Sequence, residues 1–166
     1  MRRTIVLLSD ALSLLETQAS WTGKGYALDS RGRQVPVDDP SAVRFCLLGA
    51  VLRAEHERSG DPMPLATGVS RDPDDLRAPV APDAPPHLAL ALDMLGTATM
   101  NELRLGRLAR RTLQGASPTL RHLPILLGLQ RGAGHAQAAD ALVRAIGMVA
   151  LLPLGERGRE IDDGNV

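Results

Sequence analysis

One cysteine and four histidines set the limits on nucleophilic and metal chemistry in this chain. A reactive thiol needs a lowered pKa, supplied by a helix N-terminus or by a neighbouring cation or base. Cys46 lies in DDPSAVRFCLLGAVLRAEHERSG, which reads as a helix with Asp39 capping its first N–H groups, Pro40 in first position and Gly60 at its end. That start puts Cys46 about two turns deep, where the terminal dipole has faded. The expectation is a buried, structural cysteine. The alternative is a minor enzyme whose Cys46 meets His87, His122 or His135 through the fold.

His56, His87, His122 and His135 never pair at three- or four-residue spacing, and neither HExxH nor CxxC occurs. RDPDDLR (71–77) lacks the ligand spacing and closing glutamate of a calcium loop. WTGKG (21–25) lacks the spacing of a phosphate loop and the hydroxyl that follows its lysine. No metal, no cofactor and no catalytic residue are therefore expected. Trp21 and Tyr26 remain as rings that cover a packing joint or face a ligand.

A second candidate lies in LARRTLQGASPTLRHL (108–123), which is similar to a helix-turn-helix. Gly115 would make the turn and SPTLRHL would open the second helix. Thr119, Arg121 and His122 would then reach bases or phosphates, with Arg104, Arg107 and Arg111 along the phosphates. Two departures count against it. Ala109 and Gly115 are six apart where four is usual, and Pro124 falls inside the recognition helix.

The elements that must position these residues are mostly helical. Ile5, Leu8, Leu12, Leu15 and Ala19 make one face of a helix over 4–19. YALDSRGRQVPV (26–37) reads as a small hairpin in which Asp29 and Gly32 bound a type I turn. In the Cys46 helix, Val43, Leu47, Ala50, Val51 and Ala54 form one apolar stripe and Phe45, Leu48 and Leu52 another. A helix apolar on two sides is sandwiched between other elements, so it is expected to be central. Gly49 costs about 1 kcal/mol of helix propensity relative to alanine, which asks for a packing reason. Residues 61–86, with 60–86 holding seven prolines, read as a loop. Further helices are expected over 86–99, 101–115 with Asn101 as cap, 117–132 and 135–152, followed by a frayed tail over 156–166.

The expected organisation is thus a helix–hairpin–helix unit (1–60), a proline-rich loop (61–86) and a helical C-terminal half (87–155). The fold class is mainly α: a compact bundle of five or six helices with one small β-hairpin after the first helix. Only 2 % of the residues are aromatic, which leaves an aliphatic core and few rings for stacking bases. The formal net charge is zero, yet residues 101–159 hold nine arginines against three acids, and residues 29–100 seven against eleven. The basic C-terminal half is a candidate surface for a partner, nucleic acid included. A single cysteine makes no internal disulfide, and no apolar run reaches the roughly 20 residues of a membrane span. A cytoplasmic protein with no membrane association is expected.

WTGKGYALDSRGRQVPVDDPSAVRFCLLGA (21–50) resembles a family of small bacterial and phage proteins of unknown function. The shared pattern is a Trp-Gly pair (Trp21 with Gly23 or Gly25), a D-x-x-G turn (Asp29, Gly32), a D-x-x-A helix start (Asp39, Ala42) and C-x-x-G-A (Cys46, Gly49, Ala50). It covers about residues 4–57. The family continues with an Asn-Asp pair, where this chain has Asn101-Glu102. The resemblance implies that tryptophan, hairpin and cysteine helix form one unit, and it implies no activity; Asp39, Cys46 and Gly49 are expected in structural roles on the reading of the residues above. The expectation that follows is a small non-enzymatic binding protein with a protein partner, encoded by a phage or mobile element. A DNA-binding regulator acting through 108–123 is the alternative.

Overall fold

The computed structural model describes residues 1–60, 85–102 and 134–152. The protein is mainly helical, with a small two-stranded antiparallel sheet. Helix α1 spans Arg2–Leu14 and is followed by a 3-10 turn at Gln18–Ser20. Strands β1 (Ala27–Asp29) and β2 (Ala42–Phe45) lead into helix α2 (Leu47–Ser59). Helices α3 (Pro86–Glu102) and α4 (His135–Ala150) follow.

Helix α1 is the hub: it packs against α2, α3 and α4, and α3 packs against α4. Its core face is Thr4, Leu7, Leu8, Ala11 and Leu15, all buried. This face is rotated from the expected one. Ile5 and Leu12 sit at its margin and Ala19 is exposed, because the helix stops at Leu14. Leu88, Ala91, Leu92 and Leu95 of α3 and Ala138, Ala141, Leu142, Ala145 and Val149 of α4 complete an aliphatic core. The α4 set recurs at steps of three and four, as one face of a helix requires. Helix α3 runs unbroken through Asn101, so that residue does not cap a new helix. The 117–132 helix, the rest of the 101–115 helix and the tail lie outside the described residues.

The largest difference from expectation lies before Cys46. Residues 42–45 are a strand, not the first turns of a helix. Val43 and Phe45 suit a strand, and the run Ala42-Val43-Arg44-Phe45 finds a pairing partner in β1, with Ala27 opposite Phe45 and Leu28 opposite Arg44. Asp39 therefore caps no helix. Its carboxylate accepts from the Ser41 N–H at 2.7 Å, and its carbonyl accepts from the Ala42 N–H at 3.0 Å, closing a tight turn around Pro40. Helix α2 begins only at Leu47 and ends at Gly60, which takes the left-handed conformation (φ 65°) that favours glycine after a helix.

The expected turn is present: the Gly32 N–H donates to the Asp29 carbonyl at 3.0 Å. The returning limb makes a single bridge, Gln34 opposite Leu28, with Val35 N–H on the Ala27 carbonyl at 3.1 Å. β1 thus uses both edges, the limb on one side and β2 on the other. Trp21 bridges Phe45 in parallel across the outer side of β2, and the Thr22 N–H donates to the Phe45 carbonyl at 3.1 Å.

Candidate functional site

The motif residues of 21–50 converge on the joint between the sheet and α2. Cys46 is fully buried and is the N-cap of α2. Its backbone is extended, and Sγ accepts from the Gly49 N–H at 3.2 Å. A helix start leaves amide groups without partners, and a side-chain acceptor at the N-cap satisfies one of them. Cys46 therefore sits at the helix N-terminus and not two turns inside, because the strand takes the residues before it. The dipole there favours a thiolate, but burial wins: the thiol is pushed up to about 12 by desolvation, against smaller pulls from the Gly49 and Leu48 amides. The sulfur stays protonated at neutral pH and is buried from solvent.

Gly49 has the packing reason its place in a helix demanded. A Cβ there would lie 2.0 Å from the carbonyl oxygen of Tyr26 and 2.8 Å from its carbonyl carbon. The same oxygen accepts from the Cys46 N–H at 3.1 Å. One carbonyl at the start of β1 thus fixes both the capping residue and the first turn of α2. The C-x-x-G spacing is the signature of that joint: the cysteine caps the third amide on, and that residue must lack a side chain.

Asp29 does comparable work at the turn. It is 3 % exposed. One oxygen accepts from the Arg31 and Arg33 amides at 2.9 and 2.8 Å, and the other from Arg33 Nε at 2.7 Å. The Arg33 amide, joined by its guanidinium and the Arg31 amide, holds the Asp29 carboxyl below its ordinary 3.8 despite the opposing effect of burial. Ser41 does the same for Asp39 through its side chain and amide. Arg53 ties the segment to α2, donating to the carbonyls of Val37 and Asp39 at 3.1 and 3.2 Å and pairing with Glu57 at 2.7 Å.

A second cluster escapes the sequence reading. Glu55 of α2 is 4 % exposed, and His87 Nε2 at the start of α3 lies 3.0 and 2.9 Å from its two oxygens. The Thr4 hydroxyl of α1 donates to the His87 carbonyl at 3.4 Å. The contact joins residues 32 apart across a stretch without periodic pattern, so spacing along the chain gave no hint of it. One signal was available: Glu55 is four residues past Val51 and three past Leu52, on an apolar face where a carboxylate needs a partner. The pair is closed on itself and fixes α3 to α2. On the other flank, His135 Nε2 donates to the Leu15 carbonyl and ties α4 to the end of α1.

Trp21 and Tyr26 are both half-buried and pack against the core. Arg104, Arg107, Arg111, Thr119, Arg121 and His122 lie outside the described residues, as does the whole of the helix-turn-helix candidate at 108–123. Among the described residues, no group of three or more His, Cys, Asp or Glu is placed to hold a metal ion, and no helix is long and apolar enough to cross a membrane. No family model, curated protein or solved structure matches the chain.

Proposed function

We propose that this is a small non-enzymatic binding protein that engages a macromolecular partner, with a protein as the first candidate. The complete burial of the Cys46 sulfur carries this reading. The one thiol serves as a helix cap, and burial raises its pKa far above neutrality, which disfavours a cysteine enzyme. Polar groups near the joint are spent in the same way: Asp29, Asp39 and Arg53 hold backbone groups, and in the second cluster Glu55 holds His87. The candidates left for recognition are the half-buried Trp21 and Tyr26 and, by its composition, the arginine-rich stretch 101–159. The proposal keeps a cytoplasmic protein of phage or mobile-element origin and the expected bundle of five or six helices.

Two measurements test it together. Thiol labelling of the folded protein at neutral pH should proceed no faster than unfolding exposes Cys46. Labelling faster than a free thiol would replace this reading with a catalytic one. Affinity capture from host extract should retain one partner whose recovery is lost with a surface variant of correct fold. The arginine excess of 101–159 favours a second reading, a DNA-binding regulator acting through 108–123. It predicts salt-dependent DNA retention that Arg111→Ala and Arg121→Ala weaken.

A further inference from the structure

Helix α4 carries more apolar surface than its neighbours cover. After His135 its only polar side chains are Gln137, Asp140 and Arg144, at steps of three and four, so they share one side. A second line, Ala138, Ala141, Leu142, Ala145 and Val149, is buried in the core that α4 forms with α1 and α3. A third line, Ala136, Ala139, Val143, Ile146 and Ala150, recurs at steps of three, four, three and four and is apolar throughout. Ala136, Val143 and Ala150 are exposed, and Ala139 and Ile146 are half-buried. Val143, at the middle, is 55 % exposed, more than any other large apolar side chain among the described residues of the helices. A helix apolar on two sides is suited to lie between two partners. Among the described residues, only the core side of α4 is covered.

The third line is nearly the same read in either direction. Ala136 and Ala150 each lie seven residues from Val143, and Ala139 and Gly147 each lie four residues from it. Two copies of α4 laid antiparallel about Val143 therefore set valine on valine, Ala136 on Ala150 and Ala139 on Gly147. Small residues meet small residues, so the helices can approach closely. The charges of α4 match in the same arrangement. Asp140 and Arg144 are exposed on one flank, and Asp140 forms no ion pair among the described residues. In the antiparallel pair that flank meets its own copy. Asp140 lies three residues before the axis and Arg144 one after it, so Asp140 of one copy and Arg144 of the other end about 3 Å apart along the pair. The two-fold axis makes this contact twice. A parallel pair would carry the two charges to opposite flanks, out of reach of each other.

We propose that this line of α4 docks on the same line of a second copy of the chain, antiparallel and two-fold symmetric about Val143. An unlike protein or a lipid could cover the alanines, but neither would return a carboxylate and a guanidinium to matching places. The inference goes beyond the partner proposed above and does not depend on it. One helix pair about 24 Å long is a small interface, so the dimer is expected to be weak and concentration-dependent.

Sedimentation equilibrium of the full chain tests it. The average mass should rise from one chain towards two between about 1 μM and about 1 mM. Val143→Glu should raise the dissociation constant at least about tenfold with far-UV circular dichroism unchanged. Asp140→Lys and Arg144→Glu should each weaken the dimer, and an equimolar mixture of the two should associate better than either alone, because each restores the pairing that the other breaks. A single chain at every concentration, a dimer indifferent to Val143→Glu, or a mixture no better than its components would overturn the inference. Loss of helical circular dichroism in Val143→Glu would overturn it too, by showing that the chain covers this side itself. So would a host protein that the monomeric parent captures and Val143→Glu does not. Capture of a partner by a chain that never dimerises would refute only this surface and leave the reading as a binding protein standing.

Discussion

Replacing Gly49 with alanine tests the joint between the sheet and α2 directly. The added Cβ would sit 2.0 Å from the Tyr26 carbonyl oxygen, where ordinary contact begins at 3.4 Å. Both obstacles are backbone, so no side-chain rotation relieves the overlap. Overpacking at the upper end of its usual range costs about 3 kcal/mol. Displacing the Tyr26 carbonyl weakens its bond from the Cys46 N–H, at about 1 kcal/mol. The helix propensity of alanine returns about 1 kcal/mol. The net loss is about 3 kcal/mol, against a typical total of about 5–15 kcal/mol. For a chain of this length that corresponds to a fall in Tm of roughly 6–12 °C. Urea unfolding followed by Trp21 emission and by far-UV circular dichroism measures it. Gly147→Ala in α4 is the control, because a Cβ there meets nothing within 4 Å among the described residues. It should stabilise the protein by up to about 1 kcal/mol. If Gly49→Ala unfolds within about 0.5 kcal/mol of the parent, the packing account of the C-x-x-G spacing is wrong.

Four further outcomes follow from the contacts described above. Cys46→Ser keeps an acceptor for the Gly49 amide and Cys46→Ala does not, so the alanine variant should be the less stable by about 1 kcal/mol in urea unfolding. The folded thiol at about 12 lies above its ordinary 9.0, so the unfolded chain loses this proton first. Stability should then fall as pH rises from about 9 to about 12, with a slope up to about 1.4 kcal/mol per pH unit that Cys46→Ser removes. For the pair between α2 and α3, a double-mutant cycle on Glu55→Gln and His87→Gln should give a coupling of about 1–3 kcal/mol, and additive losses would show that the pair contributes nothing. Asp29 has a lowered carboxyl pKa, so its stabilisation is complete above 3.8 and lost as pH falls through the folded value. Acid titration of Asp29→Asn should show a shallower loss of stability below pH 4 than the parent, and an unchanged slope would remove Asp29 from the account.

What the sequence made legible was local chemistry. The D-x-x-G turn needed only Asp29, Gly32 and the rule that glycine accepts a positive φ, and the turn is there with its hydrogen bond and with φ 76° at Gly32. The last helix was legible for a similar reason: its buried residues recur on one face within a single segment. The start of the Cys46 helix was not. Asp-Pro-Ser is a good helix start on propensity, and Ala42 to Phe45 continue an apolar pattern that suits either period. What decided the matter was pairing with β1, a contact made through the sheet and invisible to any window along the chain. The Glu55–His87 contact is of the same kind, made between residues 32 apart in the chain.

Moving the helix start changes the meaning of the motif. With α2 beginning at Asp39, Cys46 would be one apolar residue among many and Gly49 a weakness in mid-helix. With α2 beginning after Cys46, each has a single job that its neighbours cannot perform, capping in one case and clearance from Tyr26 in the other. Both jobs are internal, so neither residue is available to a ligand. The same strand assignment also exposes Val43, which a helix from Asp39 would have placed on the stripe with Leu47 and Ala50. The residues that looked composed for chemistry hold the joint together. Val43 and Arg44, which looked like parts of a core helix, lie in a strand instead, Val43 exposed and Arg44 partly so.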